Sequence, residues 1–144
     1  MKFHKFLTTF SVIFILLVCI LGCAKDMSKE IIPGRWNANA DFGSFDFRVD
    51  STSTFITEIK YTFSDWHCGG TISSGSINVS RDPAWAITDR QFEIETDIGS
   101  YPIEKPITIS GTFAETGDQA SGTWEAVVNS TTCSGSWQAS PEGK

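Results

Sequence analysis

Ile107-Thr108-Ile109-Ser110-Gly111-Thr112-Phe113 is the stretch on which the fold of this chain turns. Ile107, Ile109, Gly111 and Phe113 alternate with the hydroxyl side chains of Thr108, Ser110 and Thr112. A period of two sends one set to each face of an extended strand, whereas a helix needs a period near 3.6. The same pattern continues outward in both directions. Downstream, Ala120, Gly122, Trp124, Ala126 and Val128 share a face, and Cys133, Gly135, Trp137 and Ala139 close the series. Upstream, Phe92, Ile94, Thr96 and Ile98 alternate with Glu93, Glu95 and Asp97. Ile77 and Val79 follow Gly75. Phe55, Ile59, Tyr61 and Phe63 lie opposite Glu58, Lys60 and Thr62, and Phe45, Phe47 and Val49 alternate with Asp46 and Arg48.

Turn chemistry separates these runs. Thr116-Gly117-Asp118-Gln119 and Asn129-Ser130-Thr131-Thr132 suit hairpins, and Asp82-Pro83 and Tyr101-Pro102 mark longer loops. No stretch beyond Pro33-Gly34 carries helical periodicity. Roughly seven to nine short antiparallel strands at this spacing predict an all-β domain over residues 33–140, a small β-sandwich or, as the alternative, a closed barrel. Residues 141–144 read as a tail.

The first 22 residues have a different character. Lys2, His4 and Lys5 precede an apolar stretch from Phe6 to Leu21, whose uninterrupted part begins at Val12. A bilayer-spanning helix needs about 20 apolar residues, so this shorter segment reads as a cleaved signal. Gly22 leaves the bond before Cys23 open to a peptidase, and the Cys23 thiol is the one nearby group able to carry a thioether-linked lipid. Ile20-Leu21-Gly22-Cys23 resembles the lipobox of bacterial lipoproteins, with Leu21 departing from the small residue usual there. That resemblance implies a diacylglyceryl anchor on Cys23 and a cell-envelope location. With Ala24 rather than Asp following, it implies the outer membrane if the organism is a diderm. Cys19 follows bulky Val18 and is a poor competitor. Residues 24–32 then read as a tether reaching at most about 30 Å.

Of 11 basic side chains, Lys2 and Lys5 fall in the signal, leaving nine against 17 acidic ones and a net charge of −8. That balance argues against nucleic acid and against electrostatic adhesion to anionic lipid. An exported domain with two remaining cysteines, Cys68 and Cys133, is expected to join them as a disulfide. A metal site built from His67, Cys68 and Cys133 is the competing use of the same residues.

Gly34-Arg35-Trp36, Phe47-Arg48-Val49, Cys68, Gly111-Thr112-Phe113, Ser121-Gly122-Thr123 and Cys133-Ser134-Gly135-Ser136-Trp137 together resemble a small β-domain of bacterial secreted proteins and lipoproteins. The resemblance implies an all-β fold and a Cys68–Cys133 bridge, and it brings no activity. Gly34-Arg35-Trp36 alone is also similar to the opening motif of lipocalins, which would imply an eight-stranded carrier barrel.

Chemistry is sparse. His67 is the one histidine beyond the signal, and no nucleophile elbow, zinc-protease helix or phosphate loop occurs. Glu93, Glu95 and Asp97 form an acidic ladder that suits a solvated strand face better than a glycosidase pair. Asp82, Asp89 and Asp118 lie in turn regions without the ordered spacing of a calcium loop. Trp36, Trp124 and Trp137 fall in strand patterns and read as core. Trp66 and Trp85, the latter near Asp82, lie in turn-rich segments. There an indole could stack on a sugar or anchor a protein partner, or could cap an open end of the fold. The expectation is a non-catalytic, lipid-anchored envelope protein without cofactor or metal, binding or spacing something near the membrane. A surface carbohydrate-binding module and a carrier of a small apolar ligand are the alternatives.

Overall fold

Two runs of four antiparallel strands, one from each half of the chain, meet side by side in a single sheet in a computed structural model that describes residues 28–99 and 105–143. The N-terminal run comprises β1 (Gly34–Ala40), β2 (Gly43–Val49), β3 (Phe55–Phe63) and β6 (Gly75–Ala86). Between β3 and β6 sits a small separate hairpin, β4 (Trp66–His67) and β5 (Thr71–Ile72). The C-terminal run comprises β7 (Gln91–Asp97), β8 (Pro106–Phe113), β9 (Ala120–Val128) and β10 (Thr131–Pro141). Pairing of β1 with β10 joins the two runs, giving the order β6-β3-β2-β1-β10-β9-β8-β7. The all-β, antiparallel expectation holds. One sheet curls until its edge strands β6 and β7 approach each other, so of the two architectures the nearly closed barrel is the one adopted.

The interior explains why the sheet curls. Alternate residues of the strands point to the axis, except where β3 and β6 are interrupted by a bulge between Ile56 and Glu58, and the inward set is dominated by rings. Trp36 meets Phe113 edge-on at 5.1 Å and Phe47 face-on at 5.8 Å. Trp137 meets Phe45 at 5.3 Å, and Phe92 lies 5.4 Å from Phe113. Such spacings and angles are those that aromatic quadrupoles favour. The rings fill the axis, with Trp36, Phe45 and Tyr61 wholly shielded from solvent. Room for the Trp137 indole comes from Gly111, which pairs directly with Gly122 on the neighbouring strand.

The seam between β6 and β7 lacks ladder hydrogen bonds and is bridged from inside. The Tyr61 hydroxyl on β3 lies 2.8 Å from the Thr96 hydroxyl on β7. Burial pushes the Tyr61 phenol far above its ordinary pKa, against the smaller opposing effect of the Thr96 hydrogen bond, so it stays neutral and able to donate. Tyr61→Phe is expected to cost about 1 kcal/mol, the usual net worth of one such bond. A lower urea midpoint at unchanged slope would show it; an unchanged midpoint would mean the bridge contributes nothing.

Each barrel end is closed by its own device. At one end the β4–β5 hairpin folds over as a lid, with Trp66 5.9 Å from Phe42 and 5.3 Å from Trp124. A Cys68–Cys133 disulfide staples that lid to the start of β10, with the Cα atoms 6.0 Å apart. At the other end the segment preceding β1 acts as a plug. Ile31 is buried there, and the Trp36 indole N–H donates to the Ile32 carbonyl at 2.9 Å. The β2–β3 turn beside it is set by Asp50, whose carboxylate accepts from the Thr52 hydroxyl and the amides of Thr54 and Phe55. These bonds, led by the Thr52 hydroxyl, hold the Asp50 carboxyl below its ordinary pKa.

Candidate functional site

The plugged end is the first candidate, because it is where the chain arrives from its N-terminal segment. The Lys29 amide donates to Glu115 O at 2.8 Å, and the Ile32 amide donates to Gly117 O at 3.1 Å. The Ser53 hydroxyl donates to Ile31 O at 2.7 Å. Arg90 clamps the same segment: Nη1 reaches Lys29 O at 3.0 Å, Nε reaches Phe113 O at 3.0 Å, and Nη2 donates to Ala114 O. Gly117 sits at φ 73°, a left-handed turn that favours glycine, and a Cβ there would collide with Glu30 O. Residues 29–32 are therefore part of the folded domain and not of the tether expected over residues 24–32. At the C-terminal side β10 runs to Pro141, which is buried, so the domain also extends into the expected tail. Cys19 and Cys23 lie outside the described residues, as does the Tyr101-Pro102 turn.

The lid end carries Trp66, His67, Cys68 and Cys133. Cys68 and Cys133 are joined to each other, so neither sulfur is available as a thiolate ligand and the metal reading with His67 is lost. His67 is exposed and its Nδ1 lies 3.1 Å from the Thr71 hydroxyl across the β4–β5 hairpin. Among the described residues no group of three or more His, Cys, Asp or Glu side chains converges as a metal site, and Asp82, Asp89 and Asp118 do not come together as one.

Both loop tryptophans prove to be packing residues. Trp66 is 8% exposed and stacks on Phe63 at 6.3 Å beneath the lid. Trp85 is 4% exposed and lies in β6, paired with Ile56. The expected loop at Asp82-Pro83 is instead an excursion within that strand. Pairing runs from Ser80 opposite Glu58 to Trp85 opposite Ile56, so residues 81–84 bulge out with a cis Asp82-Pro83 bond. Proline cannot donate to a ladder and is tolerated at such a bulge on an edge strand. Asp82 is exposed on the bulge while the indole that would have worked with it is turned inward. A stacking site made of Trp66, Trp85 and Asp82 is thus not assembled, because neither ring face is open to solvent.

The remaining sequence candidates lie on the outer wall. Glu93, Glu95 and Asp97 point outward from β7, and Ser110 donates to Glu93 at 3.4 Å. On the same outer wall Glu125 of β9 aligns with Glu95 across Thr108 of β8. The carrier alternative needs a hollow axis, and the axis is occupied by the aromatic cluster.

What sequence reasoning did not single out is a band of neutral polar side chains around the barrel. Asn39 pairs with Gln138, Gln138 with Ser121, Ser121 with Thr112 and Thr112 with Gln91. In the other direction Asn39 pairs with Ser44, Ser44 with Thr62 and Thr62 with Ser76. This row crosses all eight strands of the main sheet without a charged residue. Each member was legible only as the polar half of a strand; their alignment is a property of register. A comparison with family models, curated proteins and solved structures returned no match to this chain.

Proposed function

We propose that this chain is a lipid-anchored protein of the cell envelope, held by a diacylglyceryl group on Cys23. Its disulfide-stapled β-barrel stands close to the membrane and acts by binding or spacing rather than by catalysis. The observation that carries the reading is the fastening of residues 29–32 to one barrel end. A lipid at Cys23 would hold that end at the membrane through residues 24–28, which even fully extended reach at most about 18 Å. The lid and its disulfide would then face away, in a compartment oxidising enough to keep the bridge closed. At the plugged end Glu30, Asp50, Asp89, Glu115 and Glu142 outnumber Lys29, Arg35 and Arg90, so its charge gives little attraction to anionic lipid. Attachment would depend on the lipid alone.

Cys23→Ser tests this directly. Wild-type protein should sediment with membranes and take up a labelled fatty acid. The variant should lose the label and appear in the soluble fraction. Because two acyl chains anchor nearly permanently and charge offers no substitute, the shift should be essentially complete. A variant that stays with the membrane, or a wild type that never takes up label, would overturn the anchor.

A further inference from the structure

The outer face of β8, β9, β10 and β1 has two properties that a merely solvated barrel wall does not need. It is recessed: a shallow trough of about 510 Å³ runs across it, lined by Asn37, Asn39, Thr112, Ser121, Gln138 and Ser140 among others. Its lining is also uncharged, on a chain with 17 acidic side chains. The charges of the same outer wall lie outside that lining, Glu125 on β9 and Arg35 on β1 among them. Arg35, Asp46, Arg48 and Glu58 pair over β1–β3, and Glu93, Glu95 and Asp97 lie along β7. A second depression, about 620 Å³, adjoins it at Thr112 and is not neutral, since Asp89 and Glu93 line it beside Gln91, Ser110 and Thr123.

The six trough side chains are exposed, and among the described residues none of them is engaged in a side-chain hydrogen bond. Three amides and three hydroxyls therefore present donors and acceptors together, in a mixture that carboxylates or ammonium groups cannot offer. From this we infer that the trough binds a neutral polysaccharide chain, whose hydroxyls also both donate and accept. A polymer fits better than a small molecule, because a site for a small ligand encloses most of its surface and this trough is open along its length. The row Asn39–Gln138–Ser121–Thr112 repeats at the strand spacing of roughly 4.8 Å, of the order of the advance per sugar in an extended glycan. The wall offers hydrogen bonds and no exposed aromatic ring there, so each contact is weak and affinity grows with chain length.

This inference rests on the binding half of the proposed function and not on its anchor, which Cys23→Ser tests separately. The test is affinity electrophoresis of the full chain in native gels containing hydroxyethyl cellulose, dextran or, as the acidic counterpart, polygalacturonate. The expected result is retardation by at least one neutral polymer and none by polygalacturonate. Asn39→Ala combined with Gln138→Ala should weaken that retardation about tenfold or more, since two amides facing the ligand are lost. Both positions are exposed, so the fold should be unaffected; an unchanged melting temperature checks this. Lys60→Ala, on the charged β3 wall, should leave retardation as it was. Absence of retardation in both neutral polymers, equal retardation by polygalacturonate, or a double variant that binds like wild type would each overturn the site.

Discussion

Replacing Cys68 and Cys133 together by alanine is expected to destabilise the domain by about 4 kcal/mol. The bridge closes a loop of 65 residues in sequence, and the chain-entropy model assigns a cross-link of that length roughly this much through the unfolded state. Small domains have only about 5–15 kcal/mol in total, so the loss corresponds to roughly 15–25 °C in melting temperature. Geometry adds a local effect. The lid hairpin forms its own two-residue-strand sheet and is not hydrogen-bonded into the barrel ladder, so apart from the disulfide it is held by buried Trp66 and Ile72 and by the Asn129 side chain, which donates to Gly69 O at 3.1 Å. Removing the staple should loosen the lid before the barrel unfolds, moving the Trp66 fluorescence and raising exchange at the Cys68 and Ile72 amides. Thermal unfolding of the double variant, and of wild type under reductant, should agree. A melting temperature that stays within a few degrees in both would show that the aromatic core holds the lid unaided.

The strands and several turns could be read from sequence because each depends on neighbours along the chain. Phe45, Phe47 and Val49 alternate in the sequence and point to the axis in the fold, and Thr116-Gly117 does turn between β8 and β9. Closure could not be read in the same way. A sandwich and a barrel require the same in-and-out alternation, and what separates them is the pairing of β1 with β10, about a hundred residues apart in sequence. Trp85 misled for a related reason. Asp82-Pro83 is an ordinary loop signal, but β6 resumes beyond it once residues 81–84 have bulged out, and the indole returns to the core. The plug was hidden because residues 29–32 are held through their backbone, which no side-chain pattern announces. The neutral trough was invisible for the reason given by its register: Asn39, Gln138, Ser121 and Thr112 come from four different strands.

Alanine at Gly122 is expected to be among the most damaging single substitutions in the barrel wall, and Gly111→Ala to be close behind. Gly111 and Gly122 are direct partners across β8 and β9. A methyl at Gly122 would sit 1.9 Å from Ser110 O and 2.8 Å from the Gly111 α-carbon, so only separation of the two strands could admit it. At Gly111 the obstacle is the core: the methyl would lie 2.4 Å from Trp137 Cζ2 and 2.6 Å from Phe92 Cζ. Trp137 has nowhere to retreat. Its ring packs on Phe45, Phe47 and Phe92, and its N–H is bonded to Thr123 O at 3.1 Å. Overpacking of a filled core costs about 1–3 kcal/mol and sometimes more. Gly111→Ala belongs at the upper end of that range and Gly122→Ala beyond it, where rigid backbone is struck. Gly75→Ala supplies the control, since its methyl would meet nothing closer than 4.0 Å and its φ is not left-handed. That change should be neutral or slightly stabilising, because alanine narrows the unfolded ensemble. Urea unfolding of the three variants side by side decides the matter. If Gly111→Ala and Gly122→Ala unfold at the midpoint of Gly75→Ala, the close packing of Trp137 over the glycine pair is not what holds the wall in register.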